Sequence, residues 1–440
     1  MKWLVVLSLA ACVPPVSELR EPVDADVARR LGAPVELGAT DPRALDALLA
    51  HPVDCDTAVR IALLASPELR GTLDELGIAG GDLATALAPG PARVDVQLRH
   101  GGGATELEID AIQPVLRLIA SGHARAAARA ELAAARATAT ATALRLAERV
   151  EIACHGLLAA EQQVELRGAA LAADDAAVTA LESSPAAPAA TELALARERD
   201  AREESRIDVA RARTELAARR EALNTLLGLS GSRASWTAAG QLPDLPAAAP
   251  ALDDLEASAV AASLDLAADR ARVEAADDRL GDERWHAILP DLGIGVSAID
   301  RDHTWEWGPA VRVGLPVFDQ RQGPRARAAG ELAHAMHARE AVELALRGRA
   351  RTARVVATAT YDEARRVRDV VIPLREDILR QAVLRYSAPD VDPYPLIAAR
   401  QAVVAARSQY VDALRRYADA MTEVTALRRG AEVGTADARP

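Results

Sequence analysis

Two histidines, His334 and His337, stand one helical turn apart and could share a metal ion through their imidazoles. No third ligand is spaced with them, so a solvated helix face is the reading they support. The triplet Gly101-Gly102-Gly103 is followed by an alternating run rather than by a helix, which removes the converging N–H groups a phosphate loop needs. Asp390 and Asp392 fall just before Pro393. They can open a helix as caps, or gather as a ring of carboxylates that favours cations where several chains converge. Three cysteines complete the inventory: Cys12, Cys55 and Cys154. No nucleophile, base and orienting group stand together, so no catalytic residue, metal or cofactor is expected and the chain does not read as an enzyme.

The stretch that positions everything else runs from Trp305 to Val317. Its odd positions are Trp305, Trp307, Pro309, Val311, Val313, Leu315 and Val317, with Glu306, Gly308, Arg312 and Gly314 between them. That alternation predicts a strand with one oily face. From Arg325 an Ala/Arg/Glu-rich run continues for about sixty residues with one proline, Pro373. As a helix it would reach roughly 90 Å, too long for a globular domain. Only 2% of the 440 residues are aromatic, with one Phe and three Met, which is poor material for several compact cores. Long helices packed through small residues suit this composition better. A net charge of −12 and the lack of a basic block exclude nucleic acid as the partner.

Hairpins and long helices occur twice. Val94, Val96 and Leu98 alternate with Arg93, Asp95, Gln97 and Arg99, and after the glycines Leu107, Ile109 and Ala111 alternate with Glu106, Glu108 and Asp110. These predict a hairpin of about eight residues per strand whose charged face suits a water-filled lumen. A helix over Thr57–Leu87 precedes it, one from Gly122 to Ser183 follows, the tract Ser183-Ser184-Pro185-Ala186-Ala187-Pro188 turns the chain, and Thr191–Leu227 returns to Gly228. Past a proline-rich linker (229–251) the order repeats. Leu252–Glu283 is a helix, Leu292-Ile294-Val296-Ala298 alternates with Gly293, Gly295 and Ser297, and Trp305 to Val317 is the second strand of the pair. Pro324–Tyr386 is the long helix, the turn spans Ser387 to Pro395 with Pro389 inside it, and Leu396–Leu427 returns. Pro114 and Pro316 are 202 residues apart, and Ser184 and Ser387 are 203 apart. The chain is thus an internal duplication, with repeats at 53–228 and 252–430 and a disordered tail at 431–440. Four strands cannot close a barrel, and an open sheet in lipid leaves both edges unpaired, so the chain must oligomerise. Trp285, Trp305 and Trp307 read as an interfacial girdle. Cys55 lies 36 residues before Pro91 and Cys154 lies 36 after Leu118. Both fall about 54 Å from the strands as helix, where they could bond or stay as buried thiols.

At the N-terminus Met1-Lys2-Trp3, an apolar Leu4–Ala11 and Leu9-Ala10-Ala11-Cys12 resemble the signal peptide and lipobox of bacterial lipoproteins. The resemblance implies that residues 1–11 are removed and that Cys12 carries acyl chains, palmitate among them, that anchor the chain to the outer membrane. Residues 12–52, with Pro14, Pro15, Pro22, Pro34 and Pro42, read as a tether. Over residues 53 to 430 the chain resembles the TolC-like outer-membrane efflux proteins. The likeness rests on the duplication, on Leu289-Pro290-Asp291-Leu292, on Gly308-Pro309 followed by Leu315-Pro316-Val317-Phe318-Asp319, on Leu223-Asn224-Thr225-Leu226-Leu227-Gly228-Leu229, and on Tyr410 and Tyr417. It implies a mainly α fold with four strands per chain. Long helical hairpins would form a periplasmic tunnel beneath a homotrimeric 12-stranded β-barrel. Such a channel exports substrates after docking to a periplasmic adaptor and an inner-membrane pump, with Ser183, Ser184, Pro185, Ser387 and Pro389 as docking tips. The alternative is a lipid-anchored periplasmic adaptor or scaffold of helical hairpins that does not span the membrane.

Overall fold

A computed structural model of the chain describes residues 16–38, 42–88, 90–101, 104–115, 121–183, 188–288, 291–301, 304–314, 319–386 and 394–431. The expectations for the signal segment and Cys12, for Ser184 and Pro185, for Ser387, Pro389, Asp390 and Asp392, and for the tail beyond residue 431 lie outside these residues.

In chain order the described helices and strands are α1 (Val16–Leu31), α2 (Pro42–Leu49), α3 (Cys55–Ala65), α4 (Pro67–Leu87), β1 (Arg93–Gly101), β2 (Ala104–Pro114), α5 (Ser121–Glu182) and α6 (Pro188–Leu227). Then come α7 (Leu255–Ala262), α8 (Leu264–Ile288), β3 (Leu292–Arg301), β4 (Thr304–Val313), α9 (Gln322–Arg366), α10 (Ile372–Tyr386) and α11 (Tyr394–Arg429). None of the described helices is both long and apolar enough to cross a membrane. The chain forms two compact units, one of residues 1–29, 71–141 and 264–345, the other of 30–70, 142–263 and 346–440. Each draws on both halves of the sequence.

The first unit holds the sheet, antiparallel in the order β1-β2-β3-β4, so that β2 of one hairpin pairs with β3 of the other. β1 and β2 have 9 and 11 residues, longer than the eight expected, because pairing continues through Arg99–Gly101 and Ile112–Pro114. β4 is described to Val313, and the Gly314 N–H donates to the Asp291 carbonyl at 2.8 Å, which carries the β3–β4 register one pair further; the rest of the expected strand, Leu315 to Val317, lies outside the described residues. The segment read as a tether contains α1. Leu19, Val23 and Val27 recur every four residues and are buried to 4%, 1% and 0% exposure. That stripe offsets the backbone bond forfeited at Pro22.

In the second unit the expected single helix Thr57–Leu87 breaks at Ser66, which is extended at φ −61° and ψ 125°. Pro67 disfavours helical backbone at the residue before it. The break nevertheless recurs at Ser263, with φ −56° and ψ 122°, where no proline follows. Both sites share an abutting glycine. Gly228 ends α6 at φ +68° and Gly430 ends α11 at φ +86°. Each closes its helix with a pair of bonds: Leu229 N–H to the Asn224 carbonyl (2.9 Å) with Gly228 to Thr225 (3.2 Å), and Ala431 to Ala426 (2.9 Å) with Gly430 to Leu427 (3.1 Å). A Cβ on Gly228 would sit 3.0 Å from the Ala65 carbonyl oxygen, and one on Gly430 would overlap that of Ala262. The duplication is therefore visible in a repeated joint. The long helix expected over Pro324–Tyr386 contains a π turn, Val367–Val371, in which Ile372 N–H bonds back to the Val367 carbonyl. Pro373, lacking an N–H and crowding the carbonyl four residues earlier, is accommodated by this widening.

Candidate functional site: a two-faced sheet and its helical support

Strict alternation sends neighbouring side chains to opposite faces, and the register aligns like with like. One face carries the rows Val96–Ile109–Ala298–Trp307 and Val94–Ala111–Val296–Pro309. Val94, Val96, Leu98, Ile294, Val296, Val311 and Val313 on it are exposed, and Trp307 is 81% exposed. A contiguous exposed apolar face of this kind marks a membrane or partner surface. Pro309 is compatible with β4 because β4 is an edge strand of the chain.

The other face is charged. Arg99 pairs with Glu108 (3.1 Å), and Arg301 with Glu106 (3.0 Å) and Glu306 (3.4 Å). Arg312 on β4 reaches Asp95 on β1 at 3.0 Å, although three strand spacings separate those edges. A flat sheet would hold the two strands about 14 Å apart, so this sheet bends toward its polar side. Gly293 and Gly295 occupy the inside of the bend. A Cβ on Gly295 would overlap the Ala111 carbonyl, and one on Gly293 would overlap the Ile112 side chain. The polar face is therefore concave, the geometry of a lumen wall.

The three tryptophans occupy two levels rather than one. Trp305, opposite Asp300, and Trp307 lie near the β3–β4 turn, whereas Trp285 lies on α8 shortly before Leu292, whose partner Val313 is at the far end of β4. Eight residues of strand separate Trp305 from Val313, about 27 Å. All three are at least half exposed. His334 and His337 are exposed on α9, and no group of three or more His, Cys, Asp or Glu able to hold a metal occurs among the described residues. Ser183 is an exposed turn residue whose hydroxyl donates to the carbonyls of Thr179 (3.0 Å) and Ala180 (3.1 Å).

Several supporting groups gave no sequence signal. Arg321, at φ +57°, opens the strand-to-helix joint, where a bidentate bond to Glu283 (2.7 and 2.9 Å) and its own N–H on the Asp319 carboxylate (2.8 Å) hold the strained backbone. In the second unit Arg400 of α11 grips Glu198 of α6 with one nitrogen at 2.5 and 2.6 Å, while Asp174 of α5 lies at 3.8 Å and accepts from the Ser205 hydroxyl at 2.6 Å. Arg400, Asp174 and Ser205 border a groove of about 880 Å³ lined also by Arg167, Asp208, Arg407 and Arg416. Glu148 is 4% exposed, and burial pushes its carboxyl up to about 7, with the neighbouring Arg349 opposing. The Cys55 and Cys154 sulfurs are at bonding distance, their Cα atoms 5.6 Å apart.

No protein-family model and no curated protein matches the chain. Solved structures do. The Campylobacter jejuni CmeC outer membrane channel superposes with a TM-score of 0.73 at 14% identity, covering 91% of this chain and 90% of that one. The Neisseria gonorrhoeae MtrE outer membrane channel, crystallised in its open state, gives 0.70 at 17% identity, with 87% and 90% covered. The outer membrane protein VceC from Vibrio cholerae gives 0.68 at 17% identity, with 86% and 96% covered. The fold is therefore that of outer-membrane channels, the TolC-like architecture that the sequence resemblance implied.

Proposed function

We propose that this chain is one protomer of a homotrimeric outer-membrane channel, a conduit through which a periplasmic adaptor and inner-membrane pump export substrates from a tripartite efflux or type I secretion system. The observation that carries this reading is the bent four-stranded sheet, with an exposed apolar convex face, a charged concave face and two unpaired edges. Three such sheets, twelve strands in all, close a ring without an edge. Its strands of 9 to 11 residues match the length a tilted strand needs to cross a bilayer. The likeness to outer-membrane channels supports the same reading. A scaffold that did not span the membrane would leave the apolar face in water.

Cys12 supplies a lipid anchor in the outer membrane, Trp285 and the pair Trp305 and Trp307 sit at its two interfaces, and the tips near Ser183 and Ser387 meet the adaptor. Purified protein in detergent, measured by mass-calibrated light scattering and then added to planar bilayers, tests the core of this: three chains per particle and discrete conductance steps are expected. A folded monomer without conductance would overturn it.

A further inference from the structure

The duplication makes α3 and α7 equivalent, since each precedes an extended serine and Ser263 follows Ser66 by 197 residues. Their anchors differ in kind. Around α7 the anchor is ionic. Glu256 accepts from Arg347 at 3.3 Å and from Arg351 at 3.2 Å, and Asp254 accepts from Arg428 at 2.8 Å. Arg428 also donates to the Ala251 carbonyl at 3.3 Å. Hydrogen bonds from Arg347 and Arg351 hold the Glu256 carboxyl below the usual carboxylate range. Among the described residues no ion pair joins α3 to the helices packed on it. Asp54 turns its carboxylate to its own helix as the N-cap, accepting from the Thr57 N–H at 2.8 Å.

What α3 has instead is sulfur. Its first residue, Cys55, meets Cys154 of α5, which is 4% exposed. The residue 197 after Cys55 is Leu252 and the residue 202 after Cys154 is Val356, so the second half has no thiols at the matching places. Leu252 there faces a groove shared with Val355 and Thr358. We infer that a Cys55–Cys154 disulfide is the first half's replacement for the ionic anchor of α7. It is a covalent clamp, set by oxidation, that fixes α3 and with it the joint between Ser66 and Gly228.

The clamp rests on the outer-membrane reading for its oxidising surroundings. One cysteine thiolate attacks a disulfide oxidant, either oxidised glutathione or the disulfide form of a dithiol oxidoreductase, and expels one oxidant thiol. The second cysteine thiolate attacks the mixed disulfide, forms the Cys55–Cys154 bond and expels the other. Two electrons pass to the oxidant, whose two sulfurs leave as thiols carrying the cysteines' protons. With Cys154 buried, this exchange precedes the docking of α3.

Hydrogen exchange read separately over 55–65 and 255–262 tests the assignment on the full-length detergent-solubilised protein. A non-reducing peptide map should contain a fragment joining Cys55 to Cys154. In Cys55→Ser with Cys154→Ser, exchange over 55–65 should rise about tenfold or more while 255–262 is unchanged. In 1 M NaCl, or in Glu256→Gln, the pattern should invert, because exposed ion pairs are screened and a covalent bond is not. If the double variant fails to assemble, wild-type protein reduced with a phosphine and alkylated is compared in its place. Free thiols in the wild type, unchanged exchange over 55–65 after loss of the bond, or both helices answering to salt would each overturn the clamp. Bilayer conductance separates the two readings: a pore with free thiols removes the clamp alone, and a clamp without a pore removes the channel alone.

Discussion

Glu148 is a buried carboxyl with Arg349 and Glu423 as charged neighbours and with one oxygen buried and unbonded. Burial raises its folded pKa to about 7 from the ordinary carboxyl value of 4.5, so its contribution to stability is fully present below about pH 4.5 and is lost as pH rises through about 7. Glu148→Gln is neutral throughout. Denaturation midpoints should therefore be close for variant and wild type at pH 5, with the variant ahead by about 1–3 kcal/mol at pH 8. Nothing in the sequence singled this residue out, because from Ala139 to Val150 the helix is buried on nearly every side and shows no polar stripe for a glutamate to violate. On the sheet the residue-scale signal was clear, since period-2 alternation assigns faces directly. Val96→Arg places a charge on the convex face, which in a bilayer costs about 2–4 kcal/mol near the midplane, whereas Gln97→Arg places it on the concave one. Both positions are exposed in the single chain, so only lipid tells them apart. Trimer recovered from outer membranes should fall for Val96→Arg and hold for Gln97→Arg, and equal recovery of both would remove the lipid-facing assignment.

At the scale of elements, the helices and hairpins were legible because their periods differ, and the joints were not because they depend on a partner segment. Ser66 could be suspected from Pro67, but Ser263 has no such neighbour, and its break becomes intelligible only with Gly430 packed on the Ala262 carbonyl. Gly228 and Gly231 separate the two costs of such a joint. Both have positive φ, yet a Cβ on Gly231 meets nothing within 4 Å whereas one on Gly228 presses on Ala65. Gly231→Ala should lower stability by about 1 kcal/mol through backbone strain alone, and Gly228→Ala by more, with thermal melting as the measure. The strand lengths of the first hairpin, 9 and 11 residues where about eight were expected, depend on which N–H groups find partners across the sheet, and a single strand's alternation does not encode that. The helix α1 was hidden by Pro22, whose local penalty is outweighed by the three-residue stripe it interrupts.

At the scale of the whole molecule, duplication announced the architecture, since two landmark pairs kept nearly one offset. The mixing of both repeats in each compact unit followed only from contacts between them, the β2–β3 pairing in the first unit and helix contacts such as Arg400 on Glu198 and Ser408 on Gln163 in the second. The anchor and the tips are testable without further geometry. Fatty-acid probe labelling should be strong in the wild type and absent in Cys12→Ser, while the sheet's own apolar face lets the unlabelled variant still reach the membrane. In planar bilayers, Asp390→Asn with Asp392→Asn should reduce cation selectivity and block by trivalent cations, as expected of a carboxylate ring at a narrow mouth. Unchanged selectivity with lower stability would leave the two aspartates as helix caps.

The unpaired edges are two different strands, β1 and β4, bearing Asp95 and Arg312. Contacts of that head-to-tail kind cannot pair two chains into a finished dimer; every partial assembly keeps one open edge of each sort until the ring shuts. Inheritance of a faulty copy then has an arithmetic of its own. For the proposed three-chain ring, a cell making normal and edge-damaged chains in equal amounts would complete about one ring in eight wholly from normal chains, so damage confined to one edge strand should behave as a dominant trait.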